Sequence, residues 1–153
     1  MKMLKGFKPR GIRGKDELPV TVFLENVFKD KDPEVGAVAC FFGVVRGYAK
    51  SGEPVRMLEL EAYRELAEQA FDRIAEDIKR EHGVKEVYIS HVTDRLNVGD
   101  LIMAVAVVGS YRSQVFPALE ATVERVKSEA AIWKKEYLRK GEEYWVTEKG
   151  LGR

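Results

Sequence analysis

At 153 residues the chain suits one domain with a usable core, and its 26 Lys and Arg against 25 Asp and Glu leave a net charge of +1. That balance gives no global case for nucleic acid or an anionic membrane, so any functional charge has to be local. A single cysteine, Cys40, excludes an intrachain disulfide framework and a cysteine-rich metal site, and reads as a small core hydrophobe.

In chain order, residues 1–17 form a polar N-terminal arm, either loosely structured or a short strand. The basic start MKMLKGFKPRGIRGK lacks the apolar stretch of a secretory signal, and no run approaches the roughly 20 apolar residues of a membrane span. The expected setting is therefore the cytoplasm. Residues 18–148 read as one domain and 149–153 as a C-terminal tail. Pro19 opens PVTVFLENVFKD, whose Val20, Phe23, Leu24 and Val27 have helical spacing; Asp30, Asp32 and Pro33 stop it. Val35–Val45 is a continuous apolar run that predicts a strand buried on both faces. A glycine-bearing loop after Arg46 leads to Val55–Tyr63, which alternates apolar and polar, so the two strands read as a long hairpin with a mobile tip. Arg64–His82 predicts a helix with Leu66, Ala70, Phe71, Ile74 and Ile78 as its stripe and Gly83 as its stop. Val84–Val92 and Leu101–Val108 are strands around a turn at 97–100. A helix over 112–129 follows, with Val115, Leu119, Thr122 and Val126 inward. Ile132–Leu138 and Tyr144–Thr147 close the chain as strands around Lys140-Gly141. The order is α-β-β-α-β-β-α-β-β, an α+β pattern of hairpins rather than βαβ crossovers.

Four cations fall where rigid elements meet the surface. Arg46 ends a buried strand; it is either a solvated strand-end charge or an anion contact. Arg112 sits in the first turn of a helix, where free amide groups favour an anion and a cation is mildly disfavoured unless one visits. Lys127 ends an apolar helical stripe with Phe116 and Val123, and either snorkels to water or is partly desolvated and usable as a base. Lys134 and Lys135 alternate on a short strand, so only one can join a pocket; Trp133, on the Lys135 side, reads as core or interface. His82 and His91 lack a third ligand at metal spacing, so no metal site is expected. Glu59 and Glu61 read as ion-pair partners of nearby lysines, and no phosphate-binding glycine loop is present.

Four stretches, GAVACFFGVVRG (36–47), LELEAYRELAEQAF (58–71), SYRSQVFPALEATVERVK (110–127) and AIWKKE (131–136), carry a resemblance over most of the chain, about Pro19 to Val146. In them the chain resembles the MoaE family, the large, catalytic subunit of molybdopterin synthase. The most specific feature is the spacing: Lys134 follows Lys127 by seven residues, and Lys127 follows Arg112 by fifteen. The resemblance implies an α/β hammerhead-like fold of antiparallel strands with an additional small β subdomain. It implies a homodimer of large subunits within a heterotetramer, each capped by a small ubiquitin-like sulfur-carrier subunit whose C-terminal Gly-Gly thiocarboxylate enters the pocket. The substrate it implies is cyclic pyranopterin monophosphate, which gains two sulfurs and becomes the dithiolene of molybdopterin; no cofactor or metal is needed. By position, Lys127 and Lys134 match the family's catalytic lysines. Arg46 and Arg112 match its anion-binding arginines and Phe41 a pocket aromatic, with the pocket shared across the dimer.

Where the family usually has His-Arg, this chain has Tyr111-Arg112. Tyrosine keeps a hydrogen-bonding tip for phosphate contact but is no base near neutral pH. The alternative this raises is an altered-activity or non-catalytic paralogue that still binds the ubiquitin-like partner. An RNA-binding module built on the basic arm and Lys134-Lys135 finds no aromatic-basic array to support it.

Overall fold

The protein is described by a computed structural model over residues 7–146. Its elements form two four-stranded sheets and three helices among those residues, the α+β content the sequence predicts. The first sheet has the order β1 (Arg10–Arg13), β4 (Glu86–Val92), β6 (Leu101–Gly109), β2 (Ala37–Val44). The second has the order β5 (Asp94–Asn97), β3 (Val55–Ala62), β7 (Ile132–Leu138), β8 (Glu143–Val146). The helices are α1 (Val20–Val27), α2 (Arg64–His82) and α3 (Arg112–Glu129).

β6 explains why its sequence is almost unbroken apolar. One face, with Met103, Val105 and Val107, packs with Phe71, Ile74, Val115 and Val126 of α2 and α3. The other, with Ala104 and Ala106, meets Phe23 of α1 and Leu58 and Leu60 of β3. A strand covered on both sides needs side chains that give up water on both, which is the physical content of the LIMAVAVV run. β2 does not fit the same expectation. It pairs with β6 along its length but forms the sheet edge, and of its eight residues only Ala39 is buried. Most of its apolar residues are half-buried because, among the described residues, no further strand pairs with its outer edge.

The hairpin expected across residues 46–54 is replaced by a crossing between sheets. β2 pairs with β6, while β3 pairs with β5 and β7. The connection is a compact turn rather than a loose tip. Val55 N–H donates to the Gly47 carbonyl at 2.9 Å, and Ala49 N–H to the Glu53 carbonyl at 2.9 Å. Gly52 takes φ +91° and its N–H reaches the Ala49 carbonyl. Buried Ala49 packs with Val55 and Leu138, tying the turn to β7. Alternation in 55–63 identified a half-buried strand correctly, but alternation does not name a strand's partner.

Two strands lie outside the expected order. β1, inside the arm, adds in parallel beside β4 and buries Ile12. β5 precedes the expected turn and carries a single buried residue, Leu96, too little periodicity to read. The α2 stripe is centred on Ala67, Ala70, Phe71, Ile74, Ala75 and Ile78, leaving Leu66 half exposed; Gly83 caps it at φ 70° as predicted. The stripe of α3 holds, with Ala118 added and Leu119 at its margin. Arg125 clamps α3 to α2, donating to Asp77 at 2.8 Å and to Glu129 at 2.6 Å, which holds both carboxyls below the usual carboxylate range. The closing hairpin forms around Gly141; Thr147 and the proposed tail lie outside the described residues.

Candidate active site

The site forms where the two sheets meet. Ala130 ends α3 in an extended conformation, so the chain passes from the last helical turn directly into β7. That turn brings Lys127 beside Lys134, which stands opposite Leu60 on β3. β2 contributes Phe41, and Arg46 follows its end. Phe41, Arg46, Lys127 and Lys134 line one chamber of about 300 Å³, with Ile102 and Met103 of β6 in its wall. A second chamber, of about 490 Å³, shares Ile102, Met103, Lys127 and Lys134 and adds Leu60, His91, Val126, Ile132 and Trp133. A third, about 600 Å³, opens past Arg46, Lys50, Lys134, Glu136 and Tyr144. Lys134 therefore borders all three spaces and Lys127 two.

The side chains are held to different degrees. Arg46 is exposed, but its Nε donates to the Tyr48 carbonyl at 2.8 Å, so the turn backbone aims the guanidinium. Lys127 is exposed where it lines the first two chambers, next to buried Val126, which matches the water-facing alternative for this residue. Lys135 points away from the chambers, pairing with Glu143 at 3.2 Å and lying 4.8 Å from the Trp145 ring, as the alternation required. Trp133 is half exposed and lines the second chamber, so it is not a core residue. Glu59 takes Arg95 and the Tyr137 hydroxyl, at 2.6 Å, as its partners, with Lys135 contributing only at longer range.

Tyr111 and Arg112 are elsewhere. They stand at the opposite end of α3, Arg112 fifteen residues before Lys127, a separation of about 22 Å along a helix axis. Tyr111 is 67 % exposed, and its N–H donates to the Gln114 side chain at 3.2 Å. Within one chain the fold brings Phe41, Arg46, Lys127 and Lys134 together and leaves Tyr111 and Arg112 on an outer surface.

Two further residues line the site, one that the sequence does not single out and one that it offers only as a metal ligand. Glu136 is buried, lines the first and third chambers, and accepts a hydrogen bond from the Tyr144 hydroxyl. Burial first, and then Glu136, push the Tyr144 phenol up to about 12. The signal for Glu136 was its place two residues after Lys134, which puts both on one strand face. His91 is the other. Burial holds its imidazole down to about 4, the charges of Lys127 and Lys134 add to that, and the Val92 carbonyl acts against it. The ring is neutral at pH 7. Sequence spacing carries no signal that sets it beside the lysines, because β4 and α3 meet only in the fold.

Paired lysines and an arginine around an aromatic and aliphatic wall form a cationic chamber of the class whose chemistry suits an anionic small ligand. Comparison with known proteins makes this particular. The sequence model of the MoaE protein family matches residues 15–129. A molybdopterin synthase catalytic subunit from Nostoc sp. is 38% identical over 117 residues, covering 76% of this chain and 70% of that protein. One from Bacillus subtilis is 33% identical over 123 residues, covering 80% and 77%. The crystal structure of molybdopterin synthase from Staphylococcus aureus superposes with a TM-score of 0.81 at 28% identity, over 92% of this chain and 98% of that one. The chain belongs to the MoaE family. A complex of subunits 1 and 2 of molybdopterin-converting factor from Helicobacter pylori shares the fold, with a TM-score of 0.70 at 19% identity over 95% of this chain and 94% of that one. No helix among the described residues is long and apolar enough to cross a membrane.

Proposed function

We propose that this chain is the catalytic subunit of a molybdopterin synthase, a sulfurtransferase that moves sulfur from a thiocarboxylated small carrier subunit onto cyclic pyranopterin monophosphate. The observation that carries the reading is the convergence of Arg46, Lys127 and Lys134, with Phe41, on one chamber. Both reactants are anions, the phosphate and the thiocarboxylate, and a cation cluster in a partly dry wall binds them and stabilises the charge released as the cyclic phosphate opens. Lys127, at the junction of two chambers, is placed to exchange protons with either reactant, and Lys134 to support it. The third chamber, lined by Arg46, Lys50 and Lys134, offers an entry for the extended tail of a ubiquitin-like carrier.

The length of α3 bears on assembly. If Arg112 and Lys127 serve one substrate, two copies of the chain have to supply them, because about 22 Å of helix separates them in one copy. This supports the homodimer, with a carrier on each large subunit. The reading is tested by incubating the protein with cyclic pyranopterin monophosphate and a thiocarboxylated carrier and weighing the pterin product. Lys127→Ala is expected to abolish dithiolene formation while circular dichroism stays unchanged; near-normal turnover by that variant sinks the assignment. Tyr111, exposed where the family usually has histidine, favours one alternative, a paralogue that binds the carrier without full synthase activity. Under it the wild type binds the carrier but gives no product, and Tyr111→His changes nothing.

A further inference from the structure

The second chamber contains a polar group that the proposed chemistry does not use. His91 lies on β4 opposite Met103, at the back of the wall shared with the two lysines. Its Nδ1 stands 3.1 Å from the Val92 carbonyl. A carbonyl only accepts, so Nδ1 carries the ring proton and Nε2 is a bare acceptor. Nε2 has no hydrogen-bond partner among the described residues, and it is not among the sealed, unsatisfied atoms there. With the residue 7 % exposed, the chamber is the space onto which that nitrogen opens.

Lys127, on the same wall, has the opposite need. An ammonium group carries three donors and no acceptor. Around this chamber Leu60, Ile102, Val126 and Ile132 offer no side-chain acceptor. Glu129 is engaged by Arg125 at 2.6 Å and by Arg73 at 3.4 Å. Glu136, next door, is taken by Tyr144. Lys127 forms no ion pair or side-chain hydrogen bond among the described residues. Of the two lysines, Lys127 acts more strongly on the His91 ring.

We infer that His91 is a positioning residue: its neutral Nε2 accepts a hydrogen bond from the Lys127 ammonium and draws that flexible side chain from the rim to the junction of the two chambers. The role in turnover rests on the proposed sulfurtransferase reading; the pairing itself does not. A neutral acceptor suits the task because it holds an ammonium without adding a negative charge that would repel anionic substrates. Burial keeps the ring neutral across the working range of pH, so the acceptor is always available.

Imidazole nitrogen NMR on the protein alone tests the pairing, and it is simple to assign because His82 is the only other histidine. The expected spectrum is a neutral, Nδ1-protonated His91 whose Nε2 resonance moves in Lys127→Met towards that of an acceptor without a donor. An unchanged Nε2 resonance overturns the inference. Turnover of two substitutions then separates positioning from structure. His91→Gln retains an acceptor near the Nε2 position, while His91→Asn retains the donor to Val92 but reaches no farther. Positioning predicts that His91→Asn loses about 10-fold or more in kcat, as for removal of a hydrogen bond to a charged group, with KM little changed and His91→Gln losing clearly less. A purely structural role reverses that order. If the Nε2 resonance responds to Lys127→Met and the wild type forms no dithiolene, the pairing stands and the functional reading fails.

Discussion

Acidification is expected to weaken the native protein more than it weakens His91→Gln. The imidazole is held at about 4 in the folded chain against 6.5 for an exposed ring, chiefly because burial penalises its charged form. A histidine whose folded value is depressed favours the neutral state in the fold. Its contribution is fully present above about 6.5 and is lost as pH falls from there towards 4. That gap corresponds to about 3 kcal/mol across the window. Carboxylates also weaken the fold on acidification: Asp77 and Glu129 are held low by Arg125, and Glu59 by Tyr137. Those losses occur in both proteins and cancel in the comparison. Glutamine cannot titrate, so His91→Gln carries a fixed offset from its altered bond to Val92 and no extra slope. Urea unfolding of both proteins at several pH values between about 7 and 4.5 gives the difference directly. Wild-type stability should fall towards the variant's, by most of the stated amount. Parallel stability curves would refute the placement of His91 as a buried neutral ring.

Gly36 and Tyr144 give two further tests. A Cβ at Gly36 would lie 2.5 Å from the Ser110 carbonyl, a backbone atom that cannot swing aside. Gly36→Ala is therefore expected to cost about 1–3 kcal/mol in urea unfolding, as overpacking does, and to disturb the edge where β2 meets the start of α3; an unchanged midpoint contradicts the close approach. The Tyr144 phenol is pushed up to about 12 by burial and then by the Glu136 carboxylate. Glu136→Gln should lower its titration only part of the way to an ordinary tyrosine, because burial persists. Phenolate absorbance, with Tyr144→Phe as the reference, measures this, and no shift removes the Glu136–Tyr144 contact from the site.

Residues whose environment is local were the legible ones. Gly83 stops α2 because a left-handed φ of 70° suits glycine, and that requirement is written in one position. Val115, Thr122 and Val126 face inward because helical geometry alone puts them on one side of α3. Lys134 and Lys135 diverge because a strand alternates, with no knowledge of the partner strands needed. What could not be read was set by pairing between distant segments. The half-buried state of β2 depends on its being an edge, and β1 exists because β4 offers it a parallel partner. Neither condition leaves a mark within the strand itself.

The same division runs through the site, and it separates residues that the sequence presents as one unit. The stretch from Tyr111 to Lys134 looks like a single cationic cluster because its members are close along the chain. A helix converts closeness in sequence into distance at about 1.5 Å per residue, and α3 is long enough to put Arg112 beyond reach of Lys127. Between Lys127 and Lys134 the helix ends and a strand reverses the path, so seven residues return the chain to the same wall. Arg46 and Phe41 reach that wall from far earlier in the sequence, by way of β2 pairing with β6. Helix length therefore keeps Arg112 and Lys127 of one copy from meeting a single small ligand. Sheet pairing, which no local pattern encodes, brings His91 to the wall that holds the lysines within one copy, while strand alternation alone puts Glu136 on the face of Lys134.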